Sequence, residues 1–550
     1  MYYKSVKQRV QIMRFFSAIV VTLLLLCAFG VKADELLQIL HTNDLHSYFE
    51  HSHQEPNRGG YGRIKTLLDR LKKEAADKGI KTLVLDGGDF TEGSLFYMAD
   101  ESVRSFEMYD LLGIDVAVAG NHDYLMGTDK YDDAIARSNQ NVRYVGANLL
   151  VENRFVHLKE KLEDAAVFDY NGFKLAILGL TTNEAVYRWR LYDGKISDPI
   201  NSAMWHEQKL KLAGVDGIVA LTHIGVDKDR KLVDKTRFID LVVGGHSHTA
   251  LFKPEWATNN KKRLVPIVQT GEHGRFVGKV IVKLKKGEGV RLLSSELIPV
   301  ENLEKDAIVE EQIAKANDDL DNLYGKTWLN TIVGQSELEP LKESNESLWA
   351  LFVTDAMRDA ARTEIAIHTS SMTGPNYPTK GSINRRDLLE AHPRFFDFND
   401  SKGWYVYRAK IYGFLVKEVI KVVVKNNLGL SFSGITFRIE KDIKGDIDIR
   451  DMRIGGKKVK AFEVYSMAMP EGVARGGAHI TSLATYVFKS MHRTPYTVIN
   501  AMERRFQLHP TLSENYLIQA REEDPALKAK GMSLPTRTIV DPKTLQTTLY

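Results

Sequence analysis

One pattern, repeated five times in the first half of the chain, constrains the fold most. A short apolar run ends abruptly in Asp, Asn or His. "LLQIL" leads into "HTNDLH", which carries Asp44 and His46. "KTLVL" leads into "DGGDF", with Asp89 after two glycines, and "IDVAVA" into "GNHD", with Asn121, His122 and Asp123. "GIVAL" leads into "THIG", with His223, and "IDLVV" into "GGHSH", with His246 and His248. Runs of this length fit buried strands. Helical stretches such as "YGRIKTLLDRLKKEAADKG" separate several of them. The first half is therefore expected to be α/β, with the polar groups at the carboxyl ends of strands, where such sheets place their sites. A single Asp or His at a strand end is ordinarily a turn former, and Gly87, Gly88, Gly244 and Gly245 suit turns. Five such ends in one domain need another explanation.

Residues i and i+2 of an extended chain point to the same side. Asp44 and His46 are thus expected to converge, as are His246 and His248. Asp44, His46, Asp89, Asn121, His223, His246 and His248 make seven candidate metal ligands. Seven is too many for one ion and suits two divalent ions that share a bridging carboxylate. Mixed N and O donors suit Zn, Mn or Fe.

The first residues have a separate role. Lys4, Lys7, Arg9 and Arg14 precede "FFSAIVVTLLLLCAFG", and "VKA" at 31–33 has the small-x-small character of a cleavage site. This is the composition of a secretory signal peptide over 1–33, with Asp34 the first mature residue. The apolar run is shorter than the ~18 residues a membrane span needs, so no stable span is expected after cleavage. A lipoprotein would need a small residue before Cys27, and Leu26 is not one. Loss of 1–33 takes the formal charge from +4 to about −1, so the apparent basicity belongs to the targeting segment. Nothing then points to a nucleic-acid polymer as partner. Cys27 is the only cysteine, so the mature chain suits an oxidising compartment, periplasmic or secreted, and any metal site must use N and O ligands.

In this order and spacing, "DLH", "GGDF", "GNHD", "THIG" and "GGHSH" resemble the calcineurin-like metallophosphoesterases, specifically the 5'-nucleotidase family, over about residues 36–300. The resemblance implies a metallophosphoesterase β-sandwich flanked by helices. It also implies that Asp44, His46, Asp89 and His248 hold one ion and that Asp89, Asn121, His223 and His246 hold the other. His122 would stabilise the transition state or protonate the leaving group. The family often has Gly-Asn-His-Glu-Phe-Asp, whose final Asp orients the histidine. This chain has "GNHDYLMG", with Leu125 at that place. Either another carboxylate orients His122, or catalysis is slower.

A chain of 550 residues exceeds one ordinary core. The expected organisation is a metallophosphoesterase domain over 34–301, a charged, periodic helical linker over 302–333 and a smaller α+β substrate domain over 334–550. "DAMR", "INRRDLLEAHP", "LSFSGITFRI" and "ARGGAHIT" resemble blocks of the family's C-terminal domain. Its phosphate- and base-binding positions are not kept. Thr369 and Gly374 align with the Asn and Arg of the Asn-Gly-Gly-Gly-Ile-Arg turn. Gly429 and Ile480 align with the two base-stacking rings. Arg385 and Arg386 are candidate phosphate contacts, and Phe432, with Phe395, Phe396 and Trp404 nearby, is a candidate ring. The resemblance implies an exported hydrolase of nucleotide phosphoesters. A broad phosphomonoesterase, a cyclic-nucleotide phosphodiesterase, a nucleotide-sugar hydrolase and a non-catalytic surface binding protein are the alternatives.

Overall fold

The apolar runs of the first half form strands because parallel strands covered on both faces need near-continuous hydrophobicity. β1 (Glu35–Thr42), β2 (Lys81–Asp86), β3 (Val116–Val118) and β4 (Arg143–Val145) pair in parallel in that order. A second sheet is built on β5 (Phe173–Thr181), β6 (Gly217–His223), β7 (Ile239–Val243) and β8 (Leu264–Val268), also parallel. Antiparallel strands, among them β9 (Phe276–Lys285) beside β1, and a short parallel strand, Leu162–Glu163, beside β4 extend the sheets to seven and six strands. The computed structural model describes residues 35–513 apart from 139–140, 185–189, 192–193, 338–347, 370–372, 375, 426–429, 442–446 and 476–487, together with 538–540 and 547–549. Residues 1–34, which include the expected signal segment and Cys27, lie outside the described residues.

The two sheets face each other. Leu37, Ile39, Leu85 and Val118 from one meet Ile177, Val219, Leu221 and Val243 from the other in a fully buried layer. The outer face of the first sheet is covered by α1 (Tyr61–Ala76), whose buried Ile64, Leu67, Leu68 and Leu71 follow the helical repeat. α2 (Pro199–Leu212) and α3 (Val226–Lys235) cover the second. All the parallel strands end at one edge of this sandwich, which places every candidate ligand there.

Within residues 302–333, α4 runs over Ala307–Tyr324 and a short helix follows over Lys326–Leu329. Asp306 starts α4 by accepting the backbone N–H groups of Ile308 and Val309, so residues 302–306 are its approach rather than its first turn. Val309, Ile313, Ala316 and Leu320 bury one face of α4 in the same apolar cluster as α1. That cluster continues into the second half through Trp349, Phe352, Phe395 and Phe506. A further cluster lies around a five-stranded sheet whose central strand is Val464–Pro470, packed by the helix Gly413–Lys425. The whole is a mixed α/β molecule with a separate sheet system in its C-terminal half. Among the described residues no helix is long and apolar enough to cross a membrane.

Gly179 in β5 marks how tightly the sheets meet. A Cβ there would lie 2.4 Å from the backbone carbonyl carbon of Val145 in β4, and the Gly179 carbonyl accepts the N–H of Ala147 at 2.8 Å. Backbone has no rotamer with which to yield. Gly179→Ala is expected to lose about 1–3 kcal/mol of stability, read as a lower denaturant midpoint. An unchanged midpoint would show that this edge is loosely packed.

Candidate metal centre

The loops after β1, β2, β3, β6 and β7 meet at the strand-end edge. The loop after β1 pairs with the loop after β2: the N–H groups of Asp44, His46 and Ser47 donate to the carbonyls of Gly88, Asp89 and Phe90 at 2.8–2.9 Å. Convergence of the Asp44/His46 and His246/His248 pairs does not come from extended backbone. Asp44, His46, Asp89, His246 and His248 all have φ between 51° and 76°. That left-handed region is uncommon for residues with a Cβ. Backbone in such conformations concentrates at functional sites because its surroundings over-determine it.

Three clusters with ligand atoms within 4.8 Å result: Asp44–His46–His248, His46–Asp89–His122 and Asp89–His223–His246. Asp44 Oδ1 lies 3.2 Å from His248 Nε2, and Asp89 Oδ2 lies 3.0 Å from His223 Nε2. The Nε2 atoms of His46 and His248 approach to 3.3 Å. Asn121 Oδ1 is buried without a hydrogen-bond partner. Imidazole nitrogens facing each other and an orphaned amide oxygen fit cations at this point.

The second nitrogens of the rings are anchored. His46 Nδ1 donates to the Glu92 carbonyl at 2.6 Å and His223 Nδ1 to the Gly87 carbonyl at 2.7 Å. A carbonyl only accepts, so each Nδ1 carries a proton and each Nε2 is the nitrogen left facing inward, where a cation would take it. Glu272 contacts His248 Nδ1, and Glu184 lies 3.4 Å from His246 Nε2. Asp123 shapes the loops, accepting the N–H groups of Asp89, Phe90, Thr91 and Gly120 at 2.7–3.0 Å. Gly120 has no room for a side chain, since a Cβ would lie 2.1 Å from Asp89 Oδ1.

Charge follows from this packing. Burial would push the Asp89 carboxyl up, but the imidazoles of His223, His122 and His46 hold it well below the usual carboxylate range. Burial would lower His248, yet the Asp44 and Glu272 carboxylates raise it well above the ordinary imidazole value. His223 is likewise raised, to about 9, by Asp89 and Asp44 against the effect of burial.

Residues 37–250 match the calcineurin-like phosphoesterase family, and residues 332–485 match the 5'-nucleotidase C-terminal domain. Protein UshA of Yersinia enterocolitica is 30% identical over 512 residues, 82% of this chain and 88% of that protein. The chain belongs to the 5'-nucleotidase family. The 5'-nucleotidase of Diplobatis ommata is 28% identical over 332 residues, and the match spans 56% of this chain and only 56% of that protein. The fold is shared with the 5'-nucleotidase precursor of Thermus thermophilus, at 21% identity and a TM-score of 0.73 over 87% of this chain and 97% of that one. It is also shared with the sulfate thiohydrolase SoxB of a Thermus species, at 18% identity and a TM-score of 0.68 over 86% of this chain and 94% of that one. The fold alone therefore leaves the substrate open.

Within this 5'-nucleotidase-family frame, six of the seven expected ligands and His122 come together, and Asn121 stands next to His122, whose N–H donates to Asp89 Oδ1. The expected substrate contacts do not join them. Arg385 donates to Glu503 at 2.6 Å and covers the Trp328 ring; Arg386 donates to Glu390 at 2.9 Å and to Asn317. Phe432 is buried edge-on against Phe437 at 5.4 Å. Phe396 stacks on Trp404 at 4.9 Å, and Phe395 is fully buried. Gly374 is packed against the Glu390 carbonyl. Gly429 and Ile480 lie outside the described residues, as does the side chain of Thr369.

Sequence reasoning passed over Glu92, Glu184, Glu272, His273 and Arg394. Glu92 is the carboxylate that takes the place left by Leu125: its Oε2 contacts His122 Nδ1. Glu184 follows β5 and Glu272 follows β8, so both sit at strand ends of the same kind as the five recognised. The signal was present in "GLTTNEA" and "PIVQTGEHG".

Metal uptake is expected to displace protons. His223 keeps its proton below about 9, so a cation competes with that proton and its affinity should rise with pH up to that value. Adding Zn²⁺ or Mn²⁺ to chelator-stripped protein at pH 7 should release protons, measurable in a pH-stat. No release would show that the imidazoles are already neutral.

Proposed function

We propose that this chain is an exported two-metal phosphoesterase that hydrolyses nucleotide phosphoesters. The observation that carries the reading is the position of Asp89, shared between two ligand clusters at the strand-end edge. Asp44, His46, Asp89 and His248 would hold one divalent ion, and Asp89, Asn121, His223 and His246 would hold the other. Such a pair, when bound, lowers the pKa of a water and neutralises the oxygens of a phosphoryl group in displacement.

The remaining work falls to side chains of this chain. His122 is hydrogen-bonded through Nδ1 to Glu92, and its Nε2 lies 3.9 Å from Asp89 Oδ2. Nε2 therefore points into the centre, where it can deliver a proton to the leaving oxygen. Its ring packs edge-on against ligand His46 with centroids 4.9 Å apart, which fixes its distance from the ligand set. Glu92 keeps the Nδ1–H oriented, as an acid does for a catalytic imidazole. The names of the relatives support a nucleotide as substrate. The basic-apolar-small pattern of residues 1–33 supports export, with cleavage before Asp34.

Base discrimination is expected to be weak, because Arg385, Arg386 and Phe432 are occupied by other contacts. AMP, UMP and a sugar phosphate should differ in kcat/KM by about tenfold or less, each tenfold step corresponding to about 1.4 kcal/mol of differential binding. One nucleotide preferred several hundredfold would overturn this.

Asp89→Asn removes the shared charge and is expected to abolish hydrolysis with the fold retained by circular dichroism. His122→Ala should lower kcat by roughly 10²–10⁴ while two metals per chain remain bound. Undiminished turnover in the Asp89 variant, or in chelated wild type, would refute the two-metal reading.

A further inference from the structure

The carboxylate that orients His122 is itself held from the other half of the molecule. Arg394 Nη1 donates to Glu92 Oε2 at 2.6 Å, the same oxygen that contacts His122 Nδ1. Glu92 is fully buried and the Arg394 side chain is 12% exposed. Two donors on one carboxylate oxygen fix its rotation as well as its position. The main chain of Glu92 is fixed too, through its carbonyl to His46 Nδ1. A Cβ on the neighbouring Gly93 would lie 2.4 Å from the Cβ of His46.

The segment that brings Arg394 is docked firmly. Arg394 N–H donates to the His392 carbonyl at 2.9 Å, and its own carbonyl accepts the N–H of Trp404 at 3.0 Å. Phe395 is buried 5.9 Å from the Tyr97 ring of the first half. Arg190 adds a second tie. Its Nη2 donates to the Phe396 carbonyl and its Nε to the Leu125 carbonyl at 2.5 Å. The loop carrying His122 is thus tied to one stretch of the C-terminal half twice, through Glu92 on the neighbouring loop to Arg394 and through Arg190 from Leu125 to Phe396. A purely structural clasp between halves could use any surface acid. This one uses the acid that sets the catalytic imidazole.

We propose that Arg394 is a positioning residue for His122, acting through Glu92, so that the C-terminal half completes the catalytic arrangement rather than only presenting substrate. The proposal rests on the two-metal reading above. Arg394 alternatively binds a substrate phosphate directly, and the two roles predict different kinetics.

The test is a double-mutant cycle in the full-length, metal-loaded protein, with E92Q, R394Q and the double variant, assayed on a nucleoside monophosphate and on p-nitrophenyl phosphate. Both single variants should keep two metals per chain and KM within about threefold, with kcat for the nucleotide lowered about 10²-fold in E92Q and about tenfold in R394Q. Because the two act in series, the double variant should be no slower than E92Q within about twofold. The losses should shrink for p-nitrophenyl phosphate, whose leaving group needs little protonation. Multiplicative losses, or a raised KM at unchanged kcat in R394Q, would overturn the relay in favour of direct substrate contact. If R394Q does not fold, R394K enters the same cycle. A wild type inactive on every phosphoester would sink the functional reading but leave the relay decidable. The ¹⁵N imidazole spectrum should then show His122 Nδ1–H in wild type and its signal displaced in the Arg394 variant, and an unmoved signal would overturn the relay.

Discussion

Asp89 holds a nearly buried carboxylate within 3.0 Å of one imidazole and 3.9 Å of two more. A lone charge in that position would be expelled or neutralised, since desolvating an ion without compensation is strongly unfavourable. The surrounding imidazoles supply that compensation, His223 first among them. The carboxylates in turn raise His223 and His248, while burial lowers His46 and His246. A divalent ion bound there would compete with the protons of His223 and His248 for the same ring nitrogens.

The rest of the sandwich serves to hold this set of charges together. Parallel strands bring the ligands to one edge, but side-chain alternation does not aim them. Left-handed backbone at five of the seven candidate ligands does that, and the strain is held by buried acids that accept backbone N–H groups. Asp123 takes four of them. Asp86, at the end of β2, accepts the N–H of Gly88 and the hydroxyl of Thr42, and burial pushes its carboxyl up to about 7. These residues carry no chemistry, yet without them the loops would relax away from the ligand geometry.

The strand ends were legible in the sequence because each couples an apolar run to a polar cluster, and burial on both faces of a parallel sheet demands that pairing. The backbone conformation was not legible, since the residues in the left-handed region are Asp and His rather than Gly. Glu92 stands only three residues beyond Asp89, but its role depends on a fold that brings His122 back from 30 residues away. Arg394 is 302 residues from Glu92 in sequence, and no local pattern could join them. In the second half, Arg385 and Phe432 were residues of the right type in the right neighbourhood. Packing against Glu503 and Phe437 gave them other partners, an outcome that depends on tertiary contacts.

The proposed two-metal chemistry depends on one buried carboxylate, Asp89, shared by two clusters of candidate ligands. X-ray absorption on the metal-loaded wild type, combined with elemental analysis, tests it directly. The expected result is two ions per chain with a metal–metal distance of ~3.5–4 Å. A fully active protein holding a single ion, with no metal–metal scattering, would contradict the account.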